Sequence, residues 1–154
     1  MYEAVMKASR NASIVCMSAA VADWRPSETK PQKEHKSGPE KSLDLSRTRD
    51  ILADLCTAAN KPTLVLGFAA ETHEAEAELV EAGKAKMFRK GCDLLFVNQV
   101  FQSQKGFGPG VSQGLLLSLD GTEKAIGPAT KATIADHLIE AIAEHYNQRI
   151  ARAS

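Results

Sequence analysis

The chain has no surplus of charge of either sign, with 19 Lys and Arg against 19 Asp and Glu in 154 residues. That balance removes the broad basic field expected of a protein that binds nucleic acid or a membrane surface, so any anion site must come from local clustering. Three cysteines, Cys16, Cys56 and Cys92, lie far apart and form no CxxC or Cys/His ligand spacing. They are expected as buried free thiols that behave as small hydrophobes, in a reduced, cytoplasmic protein. There is no signal-peptide pattern, and no apolar run approaches the roughly 20 residues needed to span a bilayer. No GxGxxG or GxxxxGK[ST] follows any apolar run, and the four histidines sit in no HExxH pattern. A metal held entirely by protein is therefore not expected, and no motif supports Ser-His-Asp or Cys-His catalysis.

What is present is an alternation of apolar runs and amphipathic stretches in a composition that is 44% hydrophobic and 25% charged. Residues 2–9 suit a short helix and 13–17 a strand. Residues 18–46 read as a long polar loop rich in Lys, Pro, Ser and Glu, of the kind usually either functional or disordered. Thr48 is placed to cap a helix over 49–59. The continuous run Thr63–Phe68 predicts a central parallel strand buried on both faces.

Glu71–Lys90 reads as a helix with acids early and bases late, as the helix dipole favours, and Gly91 should end it. Its interior Gly83 costs roughly 1 kcal/mol relative to Ala. Asp93–Val97 predicts the next buried strand. Segments 114–119 and 122–126, joined at Asp120-Gly121, predict a β-hairpin. Pro128 should open a last helix over 129–149, with Ile134, Leu138, Ala141, Ile142 and His145 on one face. These elements define an α/β fold: a Rossmann-like, mostly parallel sheet with helices on both faces and a C-terminal antiparallel hairpin. Nucleotide-binding sheets of this class normally begin with a strand, a Gly-rich turn and a helix. This chain opens on a helix, and so reads as a single partial domain over 1–154, incomplete at its N-terminus.

The stretch Ser18–Lys36 leaves its strand through small residues, where open α/β sheets bind ligands. Within it Asp23 suits either a ribose or base contact or an ion pair with Arg25, and the residues alone leave both open. Lys33 is either a solvated lysine or an anion contact. Phe68 ends a buried strand, as core or as a ring flanking a base or sugar. Lys86 and Lys90 lie one helical turn apart and repel by a few tenths of a kcal/mol. Dipole stabilisation accounts for them as well as anion binding does.

Taken together, SAAVADWRP (18–26), TRDIL (48–52), LVLGFAAET (64–72) and KMFRKGCDLLFVN (86–98) resemble phosphopantothenoylcysteine synthetase, a ligase of coenzyme A biosynthesis. The resemblance implies joining of 4′-phosphopantothenate to L-cysteine through an acyl-cytidylate formed from CTP with Mg²⁺. FMN is implied only if a decarboxylase domain is fused upstream. It places Asp23 at the cytidine, Lys33 on the nucleotide, and Arg49, Asp50, Ile51 and Leu52 at a helix start against it. Phe68 would lie by the sugar or base, with Lys86 and Lys90 completing the site.

It further implies a cytoplasmic homodimer, larger if fused, for which the apolar strand Leu115-Leu116-Leu117 is suited. Neither nucleic acid nor membrane is an expected partner. Arg49 stands where the family usually has Pro, and Gln99 where it usually has Asp. No residue here matches the family asparagine of the acyl-cytidylate step, so no catalytic residue is assigned. A non-catalytic nucleotide-binding or dimerising module is the alternative expectation. Eukaryotic relatives use ATP, whereas the AAVAD and lysine-loop pattern leans toward CTP.

Overall fold

The computed structural model describes residues 1–28, 32, 42–73, 75–100 and 110–153. In chain order the elements are α1 (Tyr2–Ala8) with a 3-10 turn at Ser9–Asn11, β1 (Ile14–Met17), β2 (Trp24–Pro26), β3 (Leu45–Arg47), α2 (Ile51–Thr57) and β4 (Leu64–Glu71). They continue with α3 (Glu76–Lys90), β5 (Leu94–Gln99), β6 (Val111–Ser118), β7 (Glu123–Thr130) and α4 (Lys131–Ala153). These residues divide into two compact units, Met1–Ser18 with Ile51–Ser154, and Ala19–Asp50.

The larger unit holds a five-stranded sheet in the order β1-β4-β5-β6-β7. β1, β4 and β5 run parallel, whereas β6 and β7 are antiparallel additions. This is the mostly parallel α/β sheet with a terminal hairpin that the sequence implies. Strand side chains alternate between faces, so the apolar runs feed two cores at once. Val65, Leu95, Val97, Leu115 and Leu117 meet Leu55 of α2 and Leu79 and Met87 of α3. Leu64, Leu66, Leu94, Phe96 and Leu116 meet Ile134, Leu138, Ala141 and Ile142 of α4. Fully burying one such side chain contributes about 1.5–3 kcal/mol. Helices therefore cover both faces.

Several local expectations are corrected. α3 begins at Glu76, and Glu71 is the last residue of β4; the strand keeps its parallel pairing with β5 through Glu71 opposite Gln99. Thr48 is not at the N-cap of α2, which starts at Ile51; its hydroxyl donates to the Ala22 carbonyl oxygen at 2.6 Å. Pro128 lies within β7, a position at the sheet edge where a missing N–H is tolerated. α4 instead starts after Thr130, whose hydroxyl oxygen accepts from the Thr133 N–H at 3.2 Å as an N-cap.

Cys92 is buried as expected, but Cys16 is exposed on the edge strand β1. Leu115, Leu116 and Leu117 do not offer a dimer contact, since all three are buried in this chain's own core. Gly83 is needed where α3 crosses the sheet: a Cβ there would lie 2.6 Å from Leu117 Cδ1 and 2.8 Å from Val97 Cγ2. Its helix cost is the condition for that close approach. Gly91 ends α3 in the left-handed region at φ 69°, with its N–H on the Met87 carbonyl.

In the smaller unit, residues expected as an unstructured loop contain an antiparallel ribbon. β2 pairs with β3, Trp24 opposite Arg47 and Pro26 opposite Leu45. The Ser27 N–H to Asp44 and the Thr48 N–H to Asp23 extend it, each at 2.9 Å. Three-residue strands separated by the long polar segment leave no alternation to read. The Arg47 guanidinium lies 5.3 Å from the Trp24 ring centroid, a cation–π contact.

At the amino end of β5, the buried carboxylate of Asp93 ties the larger unit together. Its Oδ2 accepts the Val65 N–H at 2.7 Å, and its Oδ1 accepts from Lys61 at 3.0 Å and from Arg149 of α4 at 2.7 Å. Arg149 also donates to the Thr63 carbonyl. Asp93→Ala strands a buried N–H and two cations, so chemical denaturation is expected to show a loss of about 3 kcal/mol. Arg149→Ala should cost about half as much, since the carboxylate keeps two donors. Equal losses, or a reversed order, would contradict this hierarchy.

Candidate functional site

The parallel strands β1, β4 and β5 present their carboxyl ends on one edge of the sheet, where ligands bind in open α/β folds. β4 is long enough to bring Glu71 to that edge. Lys86 sits three turns into α3, and helical side chains lean back toward the N-terminus. Its ammonium meets Glu71 Oε1 at 2.5 Å, with side-chain exposures of 27% and 18%. Glu71 Oε2 lies 3.9 Å from His73 Nε2, and His73 Nδ1 lies 3.4 Å from Glu78.

Beside this pair, Gln113 donates to Gln99 Oε1, and Gln99 donates to the His73 carbonyl at 2.9 Å. A cleft of about 350 Å³ opens there among Glu76, Leu79, Gln99, Gln113 and Ile126. An aspartate at position 99 would lack the N–H that holds His73, which gives the glutamine a local role.

The expected nucleotide residues are only partly brought together. Lys86 and the half-buried Leu52 belong to the face covered by α2 and α3, where Leu52 packs onto the core. Ile51 is buried, so its side chain serves packing. Phe68 lies against the other core, edge-on to Phe96 at a centroid distance of 6.0 Å. Lys90 is half-buried at the end of α3, one turn beyond Lys86. Asp23, Arg49 and Asp50 are exposed residues of the smaller unit. Lys33 lies outside the described residues.

Glu71 is the site residue that sequence reasoning missed. The run Phe68-Ala69-Ala70 before it continues the strand, a signal outweighed by the glutamates that follow.

The fold also assembles Ser118, Asp120 and His145, which no motif announces. Ser118 donates to Asp120 Oδ1 at 2.6 Å, and His145 Nε2 lies 3.0 Å from the Ser118 oxygen. His145 Nδ1 is 2.8 Å from the Ala141 carbonyl and therefore carries its hydrogen toward it. This is not a hydrolase triad. The serine is buried, and its hydroxyl hydrogen is directed to the carboxylate. The carboxylate in turn does not orient Nδ1, as a triad acid must. The trio fastens α4 to the hairpin turn.

The Ser118 hydroxyl, followed by the Thr122 N–H, holds the Asp120 carboxyl far below the usual carboxylate range. Among the described residues no group of three His, Cys, Asp or Glu is arranged to hold a metal, and no helix is long and apolar enough to cross a membrane.

An open, mostly parallel α/β sheet with a polar, lysine-bearing carboxyl edge is the class these features define. Residues 1–146 match the family described as the DNA/pantothenate metabolism flavoprotein C-terminal domain. The chain is 39% identical over 147 residues to the coenzyme A biosynthesis bifunctional protein CoaBC of Mycolicibacterium smegmatis, covering 92% of this chain and 35% of that protein. In structure it is similar to the C-terminal domain of a CoaBC protein, with a TM-score of 0.72 and 25% identity over 96% of this chain and 61% of the other. It also shares its fold with a Cab2 H337A variant in complex with phosphopantothenate-cysteine, with a TM-score of 0.68 and 17% identity. That likeness covers 97% of this chain and 50% of the Cab2 chain. The chain belongs to the DNA/pantothenate metabolism flavoprotein C-terminal family. It spans about a third of the length of the bifunctional relatives it matches.

The depressed Asp120 carboxyl carries a pH prediction. Unfolding restores its ordinary affinity for protons, near pH 3.9, so the unfolded chain binds more protons and stability falls as pH drops below about 4. Asp120→Asn is expected to flatten this acid limb of the denaturation midpoint while leaving stability at pH 7 lower. An unchanged acid limb would show that the hairpin network does not bias the carboxyl.

Proposed function

We propose that the chain is the nucleotide-handling part of a phosphopantothenate–cysteine ligase of coenzyme A biosynthesis. The family match over residues 1–146 carries this reading, and the fold shared with the Cab2 complex supports it. In the reaction, the carboxylate of 4′-phosphopantothenate attacks the α-phosphorus of CTP, forming an acyl-cytidylate and releasing pyrophosphate. The amine of L-cysteine then attacks the acyl carbon, forms the amide, and expels CMP. A carboxylate is a poor electrophile until one of its oxygens leaves with a phosphate, which is why a nucleotide is required.

In this reading Asp23, Lys33, Arg49, Asp50, Ile51, Leu52, Phe68, Lys86 and Lys90 surround the nucleotide. In this reading Lys33 and Lys90 contact the phosphates. At about 4 Å such a contact is worth on the order of 4 kcal/mol at an effective dielectric near 20, before desolvation. It speeds the reaction to the extent that the departing pyrophosphate is held more tightly than the ground state. Mg²⁺ keeps several waters and is commonly bound through substrate phosphates with one or two carboxylates. A protein cage is not required for it. A homodimer in the cytoplasm completes the proposal.

A ligase of bifunctional length carrying this chain, given CTP, Mg²⁺, 4′-phosphopantothenate and cysteine, should release CMP and pyrophosphate in equal amounts only when the acid is present, whereas the chain by itself should show reduced or no turnover. Omitting cysteine should leave the acyl-cytidylate as the product detected by mass spectrometry. CTP binding without turnover would favour a nucleotide-binding module. Tighter binding of ATP in competition would reverse the nucleotide assignment, and calorimetry showing no binding of either would remove both readings.

A further inference from the structure

We infer that Glu71 is a positioning residue that makes Lys86 a reader of the uncharged nucleoside rather than of the phosphates. This rests on the nucleotide reading above. The ammonium of Lys86 and the carboxylate of Glu71 touch at the carboxyl edge of the sheet, both largely withdrawn from water. A phosphate placed on Lys86 would therefore also face Glu71 at a slightly greater distance. If that distance is about half again as long, Coulomb repulsion cancels about two-thirds of the attraction.

The pair is net neutral, yet it keeps strong hydrogen-bonding capacity. An ammonium has three donors, of which Glu71 Oε1 takes one, and the carboxylate is an acceptor whose second oxygen lies 3.9 Å from His73 Nε2. A donor beside an acceptor matches a group that both donates and accepts, such as the ribose hydroxyls or the amine-and-carbonyl edge of a base. Glu71 also fixes the long lysine side chain before ligand arrives, which lowers the cost of ordering it on binding. The opposite sign of its charge bars Lys86 from acting as one more phosphate lysine.

The test titrates the full chain with CTP, cytidine and inorganic triphosphate, comparing wild type with Glu71→Gln, Lys86→Met and the double variant. Thermal melts serve as the control for folding. Each single variant should weaken CTP and cytidine by the same factor, about tenfold for one charge-assisted hydrogen bond. Inorganic triphosphate should bind unchanged, and the double variant should lose no more than either single one. A purely structural ion pair would not move cytidine and triphosphate differently.

Comparing 2′,3′-dideoxycytidine and uridine on the wild type separates sugar from base. If both bind as cytidine does, the inference falls. It also falls if Lys86→Met weakens triphosphate, or if Glu71→Gln tightens CTP. Failure of wild type to bind CTP at all would instead overturn the nucleotide reading on which the inference stands.

Discussion

The larger unit depends on one buried carboxylate. Asp93, just before β5, accepts the Val65 N–H of β4 and binds cations from Lys61 and from Arg149 near the end of α4. Its own backbone continues the ladder, with its N–H to Val65 and its carbonyl accepting from Leu119. Burying a charge is costly unless it is paired and hydrogen-bonded, and here two cations and one amide meet that condition. The carboxylate thus joins two central strands and the helix on the far face at the amino edge of the sheet. That leaves the opposite, carboxyl edge free to vary its side chains for chemistry.

At that carboxyl edge the electrostatics are arranged in pairs. Lys86 is neutralised by Glu71, His73 stands between Glu71 and Glu78, and two glutamine amides hold the turn after β4. A chain with no net charge does not collect anions by its overall field, so the local pairing of each cation sets the charge presented at this edge. The hairpin network of Ser118, Asp120 and His145 performs the same pairing for stability, fixing α4 to the turn beneath it.

Much of this architecture was legible in the residues. Continuous apolar runs such as Leu64-Val65-Leu66 and Leu94-Leu95-Phe96 mean burial on both faces, and alternation then assigns neighbours to opposite cores. Ile134, Leu138, Ala141 and Ile142 recur at helical spacing and line the buried face of α4 as expected. The ends of elements were less legible. Thr48 has the chemistry of a cap, but α2 starts at Ile51 and the Thr48 hydroxyl donates to Ala22 instead. Glu71 resembles the glutamates that follow it, yet cross-strand pairing with Gln99 holds it in β4.

By itself the sequence determined the α/β class, the order of strands and helices in the larger unit, the apolar runs that build its cores and the family, since these follow from periodicity and local motifs. Tertiary structure alone decided the partners of the charged and polar side chains. Asp93 meets a residue 56 positions away and Lys86 one 15 positions back. Such pairings depend on strand register and on the approach of α3 permitted by Gly83. No window of sequence contains that geometry, and so the pairing of Lys86 with Glu71 emerged only from the folded chain.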